Sequence, residues 1–258
     1  MNIYSRSIPN NILKDCAQLP CGYSVGVWSV SKAQSLDCLS DADLPFADDT
    51  CQDAAFVSLD SSAFGVFDGV GSCAKAREAA TWMADYMDRV IDKTTCKSGK
   101  DLAELVNQAN RALIAVDSTS EYCTTASVVK ILSEEPNGFR LAFAHVGDSR
   151  IYHVTGAGVR QITVDEVDDC GRLWNVVGDR YANSDCVQQS GEFSVRTGDR
   201  VVIVSDGITG NSKNDAMTAD ELGQYVRSAG GALAAAKLLV AMACKLDDRT
   251  VIVIEFTQ

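Results

Sequence analysis

The chain has 258 residues, 46% of them hydrophobic and 22% charged, and its 35 Asp and Glu outnumber 23 Lys and Arg, for a net charge of −12. That apolar share supports a buried core and excludes disorder, and the acidity excludes nucleic acid and anionic membrane as ordinary partners. The longest apolar stretch, Ala232 to Cys244, contains Lys237 and is too short to span a bilayer, and Met1 to Asp15 lacks a signal-peptide run, so a cytoplasmic protein is expected.

Tyr23 to Val30 alternates and reads as a strand. The acidic stretch Ser35 to Thr50, with Pro45 inside it, reads as a loop. Ala54 to Leu59 and Ala63 to Phe67 read as a hairpin closed by Asp60-Ser61-Ser62. Ala74 to Asp92 has helical spacing, with Ala79, Met83, Tyr86, Met87 and Val90 on one face. Asp101 to Val116 reads as a second helix. Strands follow at Ala126 to Leu132, Phe139 to Val146 and Arg150 to Val154, with Val159 to Thr163 as a fourth candidate. Asp165 to Gly191 is irregular and reads as a long loop or flap. Arg200 to Ser205 reads as a buried strand. Thr218 to Glu221 fits a capping box that opens a helix. Ala232 to Leu246 reads as another helix, and Thr250 to Phe256 as a closing strand.

Hairpins and helix pairs dominate over β-α-β units. The expected fold is therefore α+β, with helices outside two mostly antiparallel sheets. One domain over residues 1–258 is expected, with 1–20 as an N-terminal extension. The ten cysteines are scattered without a C-x-x-C pair, and only His145 and His153 accompany them. That argues against zinc and for reduced thiols acting as small apolar residues.

The acids have a telling distribution. Asp53 precedes a strand and Asp68 follows one. Asp148 lies between two strands, Asp206 follows another, and Asp247 and Asp248 precede the last. Any one of them is an ordinary turn residue, since Asp-Gly is a common turn signal. Together they suit a convergent cation site, because a carboxylate at a buried strand end is costly unless paired or coordinated. Oxygen ligands select Mg²⁺ or Mn²⁺. Two such ions bridged by a carboxylate form a hydrolytic device that activates water against a phosphate ester without a covalent intermediate. A Ser-His-Asp set is not evident. An aspartate nucleophile usually brings Asp-x-Asp, and Asp68-Gly69-Val70 lacks the second acid.

These residues resemble those of the metal-dependent protein phosphatases of type 2C (the PPM family), in a bacterial form. The resemblance runs in order through Cys51-Gln52-Asp53-Ala54, Phe64 to Gly71, Cys123-Thr124-Thr125-Ala126, Val146 to Arg150, Gly198-Asp199-Arg200 with Ser205-Asp206-Gly207, and Asp247 to Val251. It implies a four-layer α-β-β-α sandwich with a helix pair on each side. It implies hydrolysis of phosphoserine and phosphothreonine in proteins. It also implies that Asp68 bridges two Mg²⁺ or Mn²⁺ ions, that Asp53 and the Gly69 carbonyl serve one, and that Asp206 and Asp247 serve the other. Asp148 matches the ligand of a third, looser ion. Thr124 and Thr125 match a structural motif beneath the site.

The resemblance has departures. An arginine that grips substrate phosphate stands five residues before the aspartate matched by Asp53, and here that position is Asp48. Lys75 and Arg77 are the candidate replacements, against an ordinary place on a solvated helix. Where some relatives carry a histidine after Asp-Gly, this chain has Val70. The reversed charge at Asp48 motivates an alternative, a pseudophosphatase that acts by binding a partner. The expected partners are a phosphoprotein substrate and, opposing the enzyme, a serine/threonine kinase. A monomer is expected.

Overall fold

The structure is a computed structural model, and it describes residues 17–18, 22–35, 50–91, 95–116, 119, 121–181, 185–210 and 216–257. Asp48 and most of the loop Ser35 to Thr50 lie outside the described residues, as does most of 1–20. In chain order the strands are β1 (Ala17–Gln18), β2 (Tyr23–Val30), β3 (Ala54–Ser58), β4 (Ala63–Phe67), β5 (Ala126–Glu135), β6 (Gly138–Val146), β7 (Arg150–Val154), β8 (Val159–Gln161), β9 (Gln189–Arg196), β10 (Arg200–Val204) and β11 (Arg249–Phe256). The helices are α1 (Lys32–Ser35), α2 (Ala76–Ile91), α3 (Gly99–Val116), α4 (Asp206–Thr209), α5 (Ala219–Ser228) and α6 (Ala232–Met242).

The described residues fall into two compact units. One comprises 52–149 and 165–194; the other comprises the described parts of 8–51 with 150–164 and 195–257. The first is built on a five-stranded sheet, β3-β4-β5-β6-β9. The β3–β4 hairpin pairs Ala54 with Phe67 and Ser58 with Ala63. Its turn puts Ser62 at φ 51°, and the Ser62 amide donates to the Leu59 carbonyl. Helices α2 and α3 set Met83, Met87, Leu102 and Leu113 against Phe56, Phe67, Val128 and Ala144 of the sheet. Each of the Met, Leu, Phe and Val side chains among them, fully buried, contributes roughly 1.5–3 kcal/mol.

The second unit is built on a six-stranded antiparallel sheet, β1-β2-β11-β10-β7-β8. β11 lies inside it, pairing Val251 with Trp28 on one side and with Val204 on the other. Leu222 and Val226 of α5 and Ala236 and Leu239 of α6 pack with Trp28, Tyr152, Val202 and Val253. Gly26 lets α6 settle directly on β2, since a Cβ there would come within 2.3 Å of the Leu233 amide nitrogen. Lys237, the charge within the apolar helix, lies with its ammonium 4.2 Å from the centre of the Trp28 ring. Cys51, Cys96, Cys123 and Cys186 are buried thiols. No helix among the described residues is long and apolar enough to cross a membrane.

The short β1 and α1 were not expected from sequence, and three other elements differ from the sequence reading. The irregular segment from Asp165 ends before Gly191, because β9 starts at Gln189 and pairs with β6. Its Phe193 ring lies 6.3 Å from that of Phe143. Helix α6 stops at Met242, four residues early, where Ala243 turns extended and Arg249 Nη1 donates to the Val240 carbonyl. A short helix, α4, begins at Asp206 itself.

Candidate active site

Asp53, Asp68, Gly69 and Asp148 belong to the first unit. The β3–β4 ladder ends at the pair Ala54–Phe67, so one step further along the register places Asp53 across from Asp68. Asp53 is 2% exposed, and its Oδ1 is a buried oxygen that accepts no hydrogen bond from the described residues. The backbone of Asp68 is held on both sides. Its amide donates to Thr125 Oγ1 at 3.0 Å, and its carbonyl accepts from the Thr124 hydroxyl at 2.9 Å and the Thr125 amide at 2.8 Å. Thr124 and Thr125 thus orient the acid as well as filling space.

Gly69 is required by room. A Cβ there would come within 2.7 Å of the Ala76 backbone and 2.8 Å of the Gln52 carbonyl. The same threonine that bonds Asp68 also reaches the Asp148 loop, with Thr125 Oγ1 lying 2.7 Å from Ser149 Oγ. Ser127 Oγ donates to the Ser149 carbonyl at 2.9 Å and lies 2.9 Å from His145 Nδ1. His145 Nε2 lies 3.0 Å from the Gly147 carbonyl, which fixes the turn in front of Asp148. Gly147 itself has φ +100°, and a Cβ there would press on the Thr125 methyl at 2.7 Å.

The flap is tied down at two points. Glu166 accepts from the Gly147 amide at 2.9 Å, Asn175 Nδ2 at 2.6 Å and Gln189 Nε2 at 3.1 Å. Burial raises the pKa of this carboxyl, against the lowering effect of those three donors. Further on, Val177 and Thr124 exchange amide and carbonyl bonds of 2.9 and 3.1 Å. Of the candidate phosphate ligands, Lys75 lies with its ammonium 4.8 Å from the centre of the Tyr122 ring, and Arg77 is in the first turn of α2.

Asp206 and Asp247 belong to the second unit. Ser205, at the end of β10, donates its amide to the Thr250 carbonyl at 3.1 Å and accepts from the Thr250 amide at 3.0 Å. Gly207 lies so close to the Asp248 carbonyl that a Cβ would come within 1.8 Å of it. Asp206 is thereby brought against the segment before β11. What meets it is a cation that the sequence reading missed. Lys245 Nζ donates to Asp206 Oδ2 and, at 2.9 Å, to Asp247 Oδ2. Burial opposes the ammonium, but Asp206 and Asp247 outweigh it and the Lys245 pKa is raised. A lysine two residues before an aspartate outside any regular element carries no periodicity that would reveal it. Within neither unit do three or more His, Cys, Asp or Glu side chains of the described residues gather closely enough to hold an ion.

The protein phosphatase 2C family model matches residues 47–246. The chain belongs to the protein phosphatase 2C family. Among solved structures it resembles the Mycobacterium tuberculosis serine/threonine phosphatase PstP/Ppp, at 17% identity and a TM-score of 0.69 over 92% of this chain and 100% of that one. It also resembles the catalytic domain of the phosphatase PstP in complex with two manganese ions, at 18% identity, TM-score 0.67, over 92% and 99% of the two chains. A third is the PPM Ser-Thr phosphatase MsPP of Mycobacterium smegmatis in complex with cacodylate, at 18% identity, TM-score 0.65, over 90% and 98%. At these identities the likeness establishes the α+β fold, two antiparallel sheets with their helices, that phosphatase 2C members share. No curated protein matches the chain by sequence.

Proposed function

We propose that this phosphatase 2C member hydrolyses phosphoserine and phosphothreonine in proteins, using water activated by two Mg²⁺ or Mn²⁺ ions. The observation that carries the reading is the placing of Asp68. It stands at the end of β4, across from the buried Asp53, with its backbone amide and carbonyl both held by the Thr124-Thr125 pair. The donor chemistry fits a hard divalent cation. Asp53, Asp68 and the Gly69 carbonyl would hold one ion, and Asp206 and Asp247, which both contact the Lys245 ammonium, would hold the other. When bound, such ions lower the pKa of water and offset charge on the phosphoryl oxygens.

The chain's own contribution is position. Thr124 and Thr125 fix the Asp68 backbone, so the carboxylate is aimed before substrate arrives. The Ser127–His145–Gly147 contacts hold the turn that presents Asp148, the candidate ligand of a third ion. Arg77 is the candidate contact for substrate phosphate, with Lys75 drawn toward Tyr122. Its signature is a KM that rises in Arg77→Ala with kcat little changed. The partners on this reading are phosphoproteins made by a serine/threonine kinase, met by a cytoplasmic monomer.

Lys245 favours a second reading, a pseudophosphatase whose carboxylates are satisfied by protein and which acts by binding a partner. Hydrolysis of a small aryl phosphate with Mn²⁺, with Mg²⁺ and with chelator separates the two. Metal-dependent turnover that vanishes in Asp206→Asn establishes the enzyme. A folded protein inert with both ions leaves the binding module.

A further inference from the structure

The segment between α6 and β11 is densely hydrogen-bonded. Arg249 is 3% exposed, and its guanidinium donates to the Lys245 carbonyl from Nε at 3.3 Å and Nη2 at 2.8 Å, and to the Val240 carbonyl from Nη1 at 3.2 Å. The Asp248 amide donates to Asp247 Oδ1 at 3.0 Å, and Asp248 Oδ1 accepts from the Lys32 amide at 2.5 Å. The Lys245 carbonyl and the Asp247 carboxylate are therefore held by the chain's own donors. Their geometry aims one ammonium at two carboxylates.

The contact is unlike an ordinary surface ion pair. The side chains of Lys245 and Asp206 are 14% and 13% exposed, while that of Asp247 is 38% exposed. Exposed pairs contribute little because water screens them. A largely buried carboxylate that loses its cation is left uncompensated, and here a second carboxylate would face it. The lysine thus does for this pair what a metal ion would do.

We propose that Lys245 is a built-in counter-ion for Asp206 and Asp247, and that a divalent cation enters there only by displacing its ammonium. This rests on the assignment of Asp206 and Asp247 as metal ligands. The lysine holds this half of the site in shape when metal is scarce and sets the metal concentration at which the ion enters. The more exposed Asp247 is the side from which an ion approaches.

Calorimetric titration with Mn²⁺ tests this on the intact chain, comparing the unsubstituted protein with Lys245→Met, Lys245→Arg and Asp206→Asn. Lys245→Met should bind Mn²⁺ at this position about tenfold more tightly or better, and Lys245→Arg should not. With chelator present, Lys245→Met should melt at a lower temperature than the unsubstituted protein. Lysine acetylation read by mass spectrometry needs no variant. Mn²⁺ should increase labelling of Lys245, because displacement frees the amine. Equal Mn²⁺ affinity with and without the lysine, where Asp206→Asn still abolishes one binding event, overturns the counter-ion role and leaves the metal assignment standing. Labelling of Lys245 that Mn²⁺ leaves unchanged overturns it as well. Mn²⁺ binding indifferent to Asp206→Asn removes both the assignment and the inference.

Discussion

Gly147 and Glu166 are bonded in both directions. The Gly147 amide donates to Glu166 Oε2 at 2.9 Å, and the Glu166 amide donates to the Gly147 carbonyl at 2.8 Å. The start of the flap is thus fastened to the turn that carries Asp148. Glu166→Gln offers a single acceptor where three donors converge, and should cost about 1–3 kcal/mol in chemical denaturation.

The same residue has a pH signature. Its native pKa is raised above the ordinary glutamate value of 4.5 by burial. The native chain therefore holds that proton more tightly than the unfolded chain does. This contribution to stability is complete below pH 4.5 and is lost as pH rises through the native-state value. The melting-temperature advantage of the unsubstituted protein over Glu166→Gln should shrink as pH rises from 4.5. A constant gap would show that Glu166 titrates alike in both states.

Asp206→Asn and Asp68→Ala should each lower metal-dependent kcat on an aryl phosphate at least about 100-fold, with the fold kept in circular dichroism. Near-normal turnover in both would end the assignment of these acids to the metal site.

Thr125→Val keeps the shape but removes the acceptor for the Asp68 amide and the partner of Ser149. The expected cost is about 1–3 kcal/mol, from the buried groups left unsatisfied. Because Asp68 loses its orientation, kcat should fall more than KM changes. A stability loss with kinetics intact would make the threonine purely structural.

Gly207→Ala drives a methyl into the Asp248 carbonyl, against backbone that cannot move aside as a flexible side chain can. Asp206 must shift away from Asp247, so both melting temperature and Mn²⁺ affinity should fall. An unchanged variant would show that the α4 turn adapts freely.

The parts of this fold that were legible in the sequence are those written in local chemistry. β-branched runs such as Arg200 to Ser205 gave the strands. The capping box at Thr218 is present, with the Thr218 hydroxyl accepting from the Glu221 amide and the Glu221 carboxylate accepting from the Thr218 amide. The acids at strand ends stand where the pattern put them. β9 escaped notice because only Val195 is buried along its eight residues, so alternation is faint. The end of α6 was missed because helix propensity carries on through Lys245, and what stops it is a tertiary bond from Arg249. The glycines after Asp68 and Asp206 leave room for the chain's own backbone, a requirement that only the folded chain reveals. Lys245 was invisible because only folding brings it to Asp206.

The pairing of β2 with β11 joins Tyr23 to Phe256, across nearly the whole chain. Every residue of β2 is buried in the finished sheet. During synthesis β2 and the two-residue β1 precede the longer neighbour, β11, which is made only when translation reaches Phe256. At about 5–20 residues per second, the apolar strand waits roughly ten seconds or more for its mate. The sheet of the first unit is complete once Arg196 has been made. The nascent chain therefore carries one sheet able to form and one apolar strand whose longer partner is still to be made.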